Sequence, residues 1–373
     1  MTRVLIIGGG IGGLSLALFC QVRGMEVSVY ERTDEPVVQG AGIMIAPNAM
    51  RAFQTTSVAQ AIREASYRSE QMLITDERGE RLMALEVPDR LDAIYAIHRK
   101  KLQTILLEAV GREHVHYGYS FESYEADEEG VSVRFANGVE ERGDALVGAD
   151  GIHSSVRQAL HLDEPLEYAG YTCWRGVTER LSDDETAPFI EMWGQDGRFG
   201  IIPLGERSVY WYALVNGRAA SQAHHEATPD EIAQRFESFA HDSASLIRRT
   251  KSVIHRDIFD FSTLKNWSRG RVSLLGDAVH AVTPNMGQGA CQAIEDAYVL
   301  AEELARSTVP DAFATYTKRR YQRAHTIREQ SRQTGALAHM SDARLIRIRN
   351  GVLRMLPRPL IRRLTTRLYT TDF

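Results

Sequence analysis

The chain opens on apolar residues, Val4 to Ile7, and breaks at once into glycine. Over the first 31 residues the pattern predicts a strand (3–8), a glycine loop, a helix from about Gly12 to Arg23 and a second strand (25–31), a βαβ unit. Helical spacing follows from Asn48 to about Ala65. Residues 72–85, MLITDERGERLMAL, predict a hairpin with its tip at Glu77–Glu80. In RKKLQTILLEAV (99–110), Leu102, Ile105, Leu106 and Ala109 share one helix face. In the strands that follow, Asn137-Gly138 marks a hairpin turn. Between about 165 and 260 the texture changes to aromatic-rich alternation, as in YTCWRGV and SVYWYALV, with one helical stretch at 229–240, and this predicts a second, antiparallel sheet. The first texture resumes at 271, and long helices run from about Pro310. With no repeat, low-complexity segment or long linker, the two units must interleave. The expected fold is α/β: a Rossmann-like nucleotide-binding domain (1–70, 99–164 and 265–320), an antiparallel-sheet domain (71–98 and 165–264) and a C-terminal helical segment (321–373).

Composition narrows the partners. A net charge of -5 over 373 residues gives no electrostatic footprint for nucleic acid, so a small-molecule enzyme is expected. Cys20, Cys173 and Cys291 are too dispersed for a metal site or a disulfide framework and read as buried thiols in a reducing compartment. The uncharged stretch 4–20 holds five glycines. Each weakens a helix by roughly 1 kcal/mol relative to alanine, which argues against a membrane span and a signal peptide. A cytoplasmic protein without a transmembrane span is the expectation.

Two glycine motifs carry the chemistry. Gly8, Gly10 and Gly13 satisfy GxGxxG between a strand and a helix, with Gly12 inside the same turn. There glycine permits a sharp turn, a close approach of pyrophosphate and tight helix packing. Glu31, 18 residues beyond Gly13 at the end of the second strand and followed by Arg32, is placed to accept ribose hydroxyls. That motif leaves NAD and FAD open. RVSLLGDAVHAVTPNMGQGACQAIEDA (271–297) favours FAD, which must be held at two distant places. Here Asp277 would accept a ribityl hydroxyl, and N–H groups near Gly287, Gln288, Gly289 and Ala290 would face the flavin's pyrimidine edge.

With DGIHSSVR, which fits DGxxSxxR through Asp150, Gly151, Ser154 and Arg157, three ordered signatures are in place over about residues 1–320. The sequence resembles the para-hydroxybenzoate hydroxylase-like family, the single-component FAD-dependent aromatic monooxygenases. The resemblance implies NADH or NADPH as a transient hydride donor, and O2 as the source of an oxygen that a flavin C4a-hydroperoxide transfers to a small aromatic or heteroaromatic substrate. It implies contact of Arg99, and more weakly Gln103, with FAD. It also implies a link through Asp150 to nicotinamide binding, and a flavin ring bordered by Pro284 and the Gly287–Gly289 turn. Gly40-Ala41-Gly42 would let another loop approach the ring. In the antiparallel sheet, Trp174, Arg175, Trp193, Arg198, Phe199, Tyr210 and Tyr212 form the substrate pool, of which aromatic residues in alternating strands also serve as core. Arg198 and Tyr210 are the catalytic candidates, because GRFGIIPLGERSVYWY is similar to the stretch of urate-type hydroxylases that binds an anionic ring. His280 reads as a helix-start histidine satisfied by backbone, with a proton carrier as the alternative.

The last stretch, 343–373, interleaves eight arginines with Leu and Ile and has one acid, Asp372. It reads as helices covering the FAD domain, with peripheral membrane contact or a homodimer contact as the alternative. Two other functions share the cofactor motifs: an FAD-dependent reductase or dehydrogenase acting on a lipid or quinone, and a non-catalytic flavin redox sensor.

Overall fold

A computed structural model describes residues 2–35, 41–162, 164–179, 188–205, 207–371 and 373. Gly40 and Asp372 lie outside the described residues. The central sheet has six strands, in the order Ser268–Arg269, Val272–Leu274, Ala145–Gly148, Arg3–Ile7, Glu26–Glu31 and Val115–Tyr117. All pairings are parallel except that of the short edge strand Ser268–Arg269. Strand Arg3–Ile7 is central because its residues 4–7 are apolar without alternation, which suits a strand covered on both faces. Ile7 pairs with Tyr30 on one side and Gly148 on the other, and Gly148 with Leu274. The loops after three of these strands, at Gly8, Ala149 and Leu275, therefore leave the sheet side by side at its carboxyl edge. That edge is where open parallel sheets bind ligands.

Helices Arg99–Val110 and Gly289–Leu304 both pack against Ile11–Val22. The predicted helical stretch 48–65 is two helices, Pro47–Phe53 and Ser57–Ala65, and Phe53 packs on Phe19. Strand Ile94–His98 joins Gly42–Ile45 and Tyr67–Ser69 in a small antiparallel sheet.

The second large sheet has seven strands, ordered Ile254–Asp260, Glu167–Glu179, Ser208–Asn216, Arg198–Pro203, Phe189–Trp193, Gln71–Asp76 and Arg81–Glu86. Its pairings are antiparallel except for Phe189–Trp193 with Gln71–Asp76. The last two strands are the predicted hairpin. Strand alternation sorts this sheet's side chains. Val209, Trp211 and Ala213, with Trp174 and Phe199, pack into a core under helices Pro229–Arg235 and Ser243–Arg248. Tyr210, Tyr212 and Leu214, with Cys173, Arg175 and Arg198, line the opposite face. The helix predicted over 229–240 stops at Arg235. One helix of 30 residues, Val309–Ala338, runs through residue 320 and on past both sheets, followed by Ala343–Met355 and Arg358–Tyr369.

Candidate active site

At the first loop, each glycine has a separate reason. A Cβ on Gly13 would stand 2.0 Å from the Gly8 carbonyl oxygen, and one on Gly8, whose φ is +112°, 2.4 Å from that of Ala149. A Cβ on Gly12 would stand 2.7 Å from Leu275 Cδ2. Gly10 differs, because a Cβ there would meet nothing within 4 Å among the described residues. Its bare face looks into open space at the N-terminus of helix Ile11–Val22, where the first-turn N–H groups have no partner inside the helix. Glu31 Oε2 accepts the Gly9 N–H at 2.8 Å and Oε1 that of Thr33 at 3.2 Å, while Gln103 Nε2 donates to the Gly9 carbonyl at 3.0 Å. Glu31 and Gln103 thus brace the loop. Arg32 is exposed just beyond the strand.

Asp150 caps the next helix. It accepts the Ser155 N–H at 2.8 Å and the Ser154 hydroxyl at 2.5 Å, and Ser154 Oγ in turn accepts the Arg157 N–H. Arg157 donates to the Ile152 and Ala278 carbonyls at 2.8 and 3.0 Å, so it fastens this segment to the one that carries Asp277. Burial raises the Asp150 carboxyl above its ordinary range, against the pull of the Ser154 and N–H hydrogen bonds.

Asp277 follows Gly276, whose φ is +63°. It meets solvent through the cavity while protein surrounds it on the other sides, and this desolvation raises its pKa against the charges of His280 and Arg99. Gly287, in the left-handed region at φ +62°, turns the chain into helix Gly289–Leu304. Behind that turn lies a buried ionic cluster. His280 Nε2 meets Asp296 Oδ2 at 2.5 Å, and Arg320 Nε donates to Asp296 Oδ1 at 2.7 Å. Arg320 and Arg323 hold Glu295, which with Gln288 also takes the Asn48 amide. Burial alone would raise the Asp296 carboxyl, but the His280 and Arg320 charges overcome it and hold the pKa near about 2. His280 therefore ends the short helix Asp277–His280 and is satisfied by a carboxylate, which corrects the reading of a helix-start histidine satisfied by backbone.

Facing these loops, Arg198 is 1% exposed. Its guanidinium donates to Glu191 through Nε at 3.0 Å and through Nη2, and to Asn285 Oδ1 through Nη1 at 2.5 Å. Glu191 also accepts from Trp193 Nε1 at 2.5 Å and from the Tyr212 hydroxyl. Asn285 belongs to the Pro284–Gly289 loop and donates to Tyr171 at 2.8 Å and Thr283 at 2.9 Å. Burial, then the Glu191 charge, push the Tyr212 phenol well above its ordinary range. Tyr210 has its phenol pushed up to about 12 by burial, against the charges of Arg175 and Arg99. It packs on Gly42, where a Cβ would stand 2.6 Å from the ring.

One cavity of about 1740 Å³ joins these parts. Gly10, Gly12, Arg99, Asp277, Pro284, Gly287, Gln288, Gly289, Ala290, Arg198 and Tyr210 all line it. Gly8, Gly13, Glu31, Arg32 and Asp150 are outside its lining. Sites for a single small molecule span about 300–1,000 Å³, so this volume suits an extended cofactor together with a second ligand. The naked Gly10 face leaves room for the pyrophosphate of FAD, and the Gly287–Ala290 turn lines the same cavity where its flavin end would fit.

A family model described as "FAD binding domain" matches residues 1–331. The chain belongs to this family of FAD-dependent monooxygenases. It is 38% identical over 363 residues to the aurachin C monooxygenase/isomerase of Stigmatella aurantiaca, covering 95% of this chain and 94% of that protein. Identity is 33% over 377 residues, 98% and 97% of the two chains, to the 2-heptyl-3-hydroxy-4(1H)-quinolone synthase of Pseudomonas aeruginosa (strain UCBPP-PA14). The crystal structure of Klebsiella pneumoniae HpxO complexed with FAD and uric acid superposes with a TM-score of 0.88 at 26% identity, covering 98% and 96%. The monooxygenase is thus an FAD enzyme of aromatic hydroxylation that draws on NAD(P)H, as is usual in the family.

Glu191, Asn285 and the Glu295–Asp296–Arg320–Arg323 cluster of this monooxygenase carry no signature in the sequence. The first two stand in FIEMW and TPNMGQG with no distinguishing spacing. The Arg198 guanidinium, expected to meet an anionic ring, is engaged by Glu191.

Proposed function

We propose that the enzyme uses O2 and NAD(P)H to oxygenate a neutral heteroaromatic ring bearing an aliphatic chain. The observation that carries this reading is the Glu191–Arg198 pair, whose side chains are 6% and 2% exposed. An arginine already matched by a buried carboxylate offers no net charge to an anionic ring. An anion bound at Arg198 would have to displace Glu191 or share a guanidinium whose charge is already compensated. The same cavity continues along Met72, Ile74, Met83 and Leu85 of the hairpin to Leu337, Leu353 and Leu356, an apolar wall suited to an alkyl chain. The relative named for a heptyl quinolone product supports the same chemical class.

The N–H groups after Gly10 bind phosphates, Glu31 takes ribose hydroxyls, Asp277 a ribityl hydroxyl, and the turn Pro284–Ala290 borders the flavin ring, with Arg99 at its side. When bound, FAD supplies the oxygen-activating redox chemistry once NAD(P)H has reduced it. Asp150, desolvated beside this region, is the residue through which nicotinamide binding is felt. Tyr210, its phenol pushed up to about 12 by burial, stays protonated near neutral pH and donates a hydrogen bond to a ring oxygen or nitrogen of the substrate. Arg198 acts as a positioning residue, because it fixes Asn285 of the flavin-side loop against the substrate sheet. Tyr212 and Trp193 hold Glu191, and the cavity wall excludes water from the oxygenated ring. The division into an FAD domain and a substrate domain rests on which strands pair in the two large sheets. A reducing, cytoplasmic setting fits the three free, buried cysteines.

The test is a ligand titration of the holoenzyme with a 2-alkyl-4-quinolone and with salicylate, read by flavin absorbance and by stimulated NAD(P)H oxidation. The quinolone should bind more tightly, stimulate turnover and leave a product one oxygen heavier. Tighter binding and better coupling with the anion would overturn the assignment.

A further inference from the structure

Eight large apolar side chains among the described residues are strongly exposed, and seven of them, all but Val22, fall between Leu337 and Leu364. In a protein of this size such side chains scattered singly would mean nothing, but a contiguous set does. Leu345, Ile348, Val352 and Met355 recur at spacings of three and four on helix Ala343–Met355, so they form one stripe, with Met355 83% exposed. Leu360 and Leu364 do the same on helix Arg358–Tyr369, and Arg363 and Arg367 lie on that face. The inner faces of both helices are occupied: Arg349 binds the Leu337 carbonyl at 3.0 Å, and Ile361, Thr365 and Tyr369 are buried.

From this arrangement we infer that helices Ala343–Met355 and Arg358–Tyr369 dock the enzyme on an anionic lipid bilayer. The charge pattern selects that occupant. Residues 343–371 contain eight arginines and no aspartate or glutamate. Arg354 and Arg362 reach back to Asp76 and Asp89, whereas Arg344, Arg347, Arg358, Arg363 and Arg367 are exposed. A second copy of the chain meeting this face across a two-fold axis would set arginine against arginine, which opposes association. A bilayer satisfies both halves of the pattern: the stripe enters the acyl boundary and the arginines remain at the phosphates. No helix among the described residues is long and apolar enough to cross a membrane, so these helices of 13 and 12 residues would lie in the interface. Leu353, Leu356 and Leu364 also line the large cavity, so the docking face and the cavity's apolar wall adjoin.

The inference does not depend on the substrate, so its test contains none. Holoenzyme is sedimented with vesicles of phosphatidylcholine alone and of an equal mixture with phosphatidylglycerol, and sized by light scattering without lipid. Binding to the mixed vesicles, weak binding to the neutral ones and loss in about 1 M salt are expected. Ile348→Asp with Met355→Asp should lower the bound fraction at least about tenfold while FAD content and thermal stability stay unchanged. A chain that ignores both vesicles overturns the proposal. So does one that is dimeric without lipid and becomes monomeric in the double variant, which would give the stripe to a second copy.

Discussion

Replacing Glu191 by glutamine probes the feature on which the substrate reading rests. The carboxylate accepts from Arg198 twice, from Trp193 and from Tyr212, and the Glu191 side chain is 6% exposed. At the surface such a pair would contribute at most about 1 kcal/mol. Here, the amide oxygen that replaces the carboxylate can still accept a hydrogen bond but carries no charge, so a buried guanidinium is left uncompensated, and breaking a buried pair in this way costs about 3–5 kcal/mol. Glu191→Gln should therefore lower stability by that amount, read as thermal release of FAD fluorescence alongside urea unfolding. Combining it with Arg198→Met should recover most of the loss, because no charge is then left uncovered. The single variant also exposes a cation to the cavity, so its affinity for salicylate should rise by about tenfold or more, equivalent to about 1.4 kcal/mol. A Glu191→Gln enzyme within about 1 kcal/mol of wild type, with unchanged ligand preference, would refute the argument.

Gly10→Val should yield folded apoprotein that has lost most of its FAD affinity, because a Cβ there meets no described atom within 4 Å while the branched side chain fills the space at the helix N-terminus; equilibrium dialysis against FAD checks this. Asp277→Asn should weaken FAD binding yet leave the apoprotein at least as stable at neutral pH. The raised folded pKa means that the ionised form is the disfavoured one, so stability falls as pH rises through that pKa, and calorimetry of the apoprotein with and without the substitution reads the sign. Asp296 runs the other way. Its folded pKa near about 2 lies below the ordinary 3.8, so its contribution, on the order of 2 kcal/mol, is complete above about pH 4 and lost as pH falls towards about 2. Asp296→Asn should flatten that part of the acid-unfolding curve. Tyr210→Phe should retain FAD and shift NAD(P)H consumption towards hydrogen peroxide, measured as the ratio of product to peroxide.

The sequence made the cofactor half legible because its glycines answer to hard sterics. At Gly8 and Gly13 any side chain would collide with backbone, and such positions announce themselves in a strand–loop–helix order. The aromatic alternation likewise showed a two-faced sheet, although it did not say which face held the ligand. That distinction came from helices Pro229–Arg235 and Ser243–Arg248, which cover Trp174, Phe199 and Trp211. Glu191 stayed hidden because its partners come from register. It pairs with Gly200, which pairs with Tyr212 on the next strand, and the missing side chain at Gly200 is what lets the Tyr212 ring reach across to the carboxylate. Arg198 looked available for the same reason. The Asp296–Arg320 contact joins residues 24 apart in sequence on successive helices, and no spacing rule relates two charges on different helices. The arginine-rich terminus could be read as amphipathic, but only the packing of Ile361 and Tyr369 fixed which face was left outside.

The most direct test of the account is the origin of the oxygen in the product. Holoenzyme, NAD(P)H and a 2-alkyl-4-quinolone are incubated under isotopically heavy O2 in ordinary water, and the product mass is measured. A product carrying one heavy oxygen atom is expected, formed only when O2 and NAD(P)H are both present. A product without the label, or steady substrate-dependent NAD(P)H oxidation in the absence of O2, would contradict it and would instead describe a reductase.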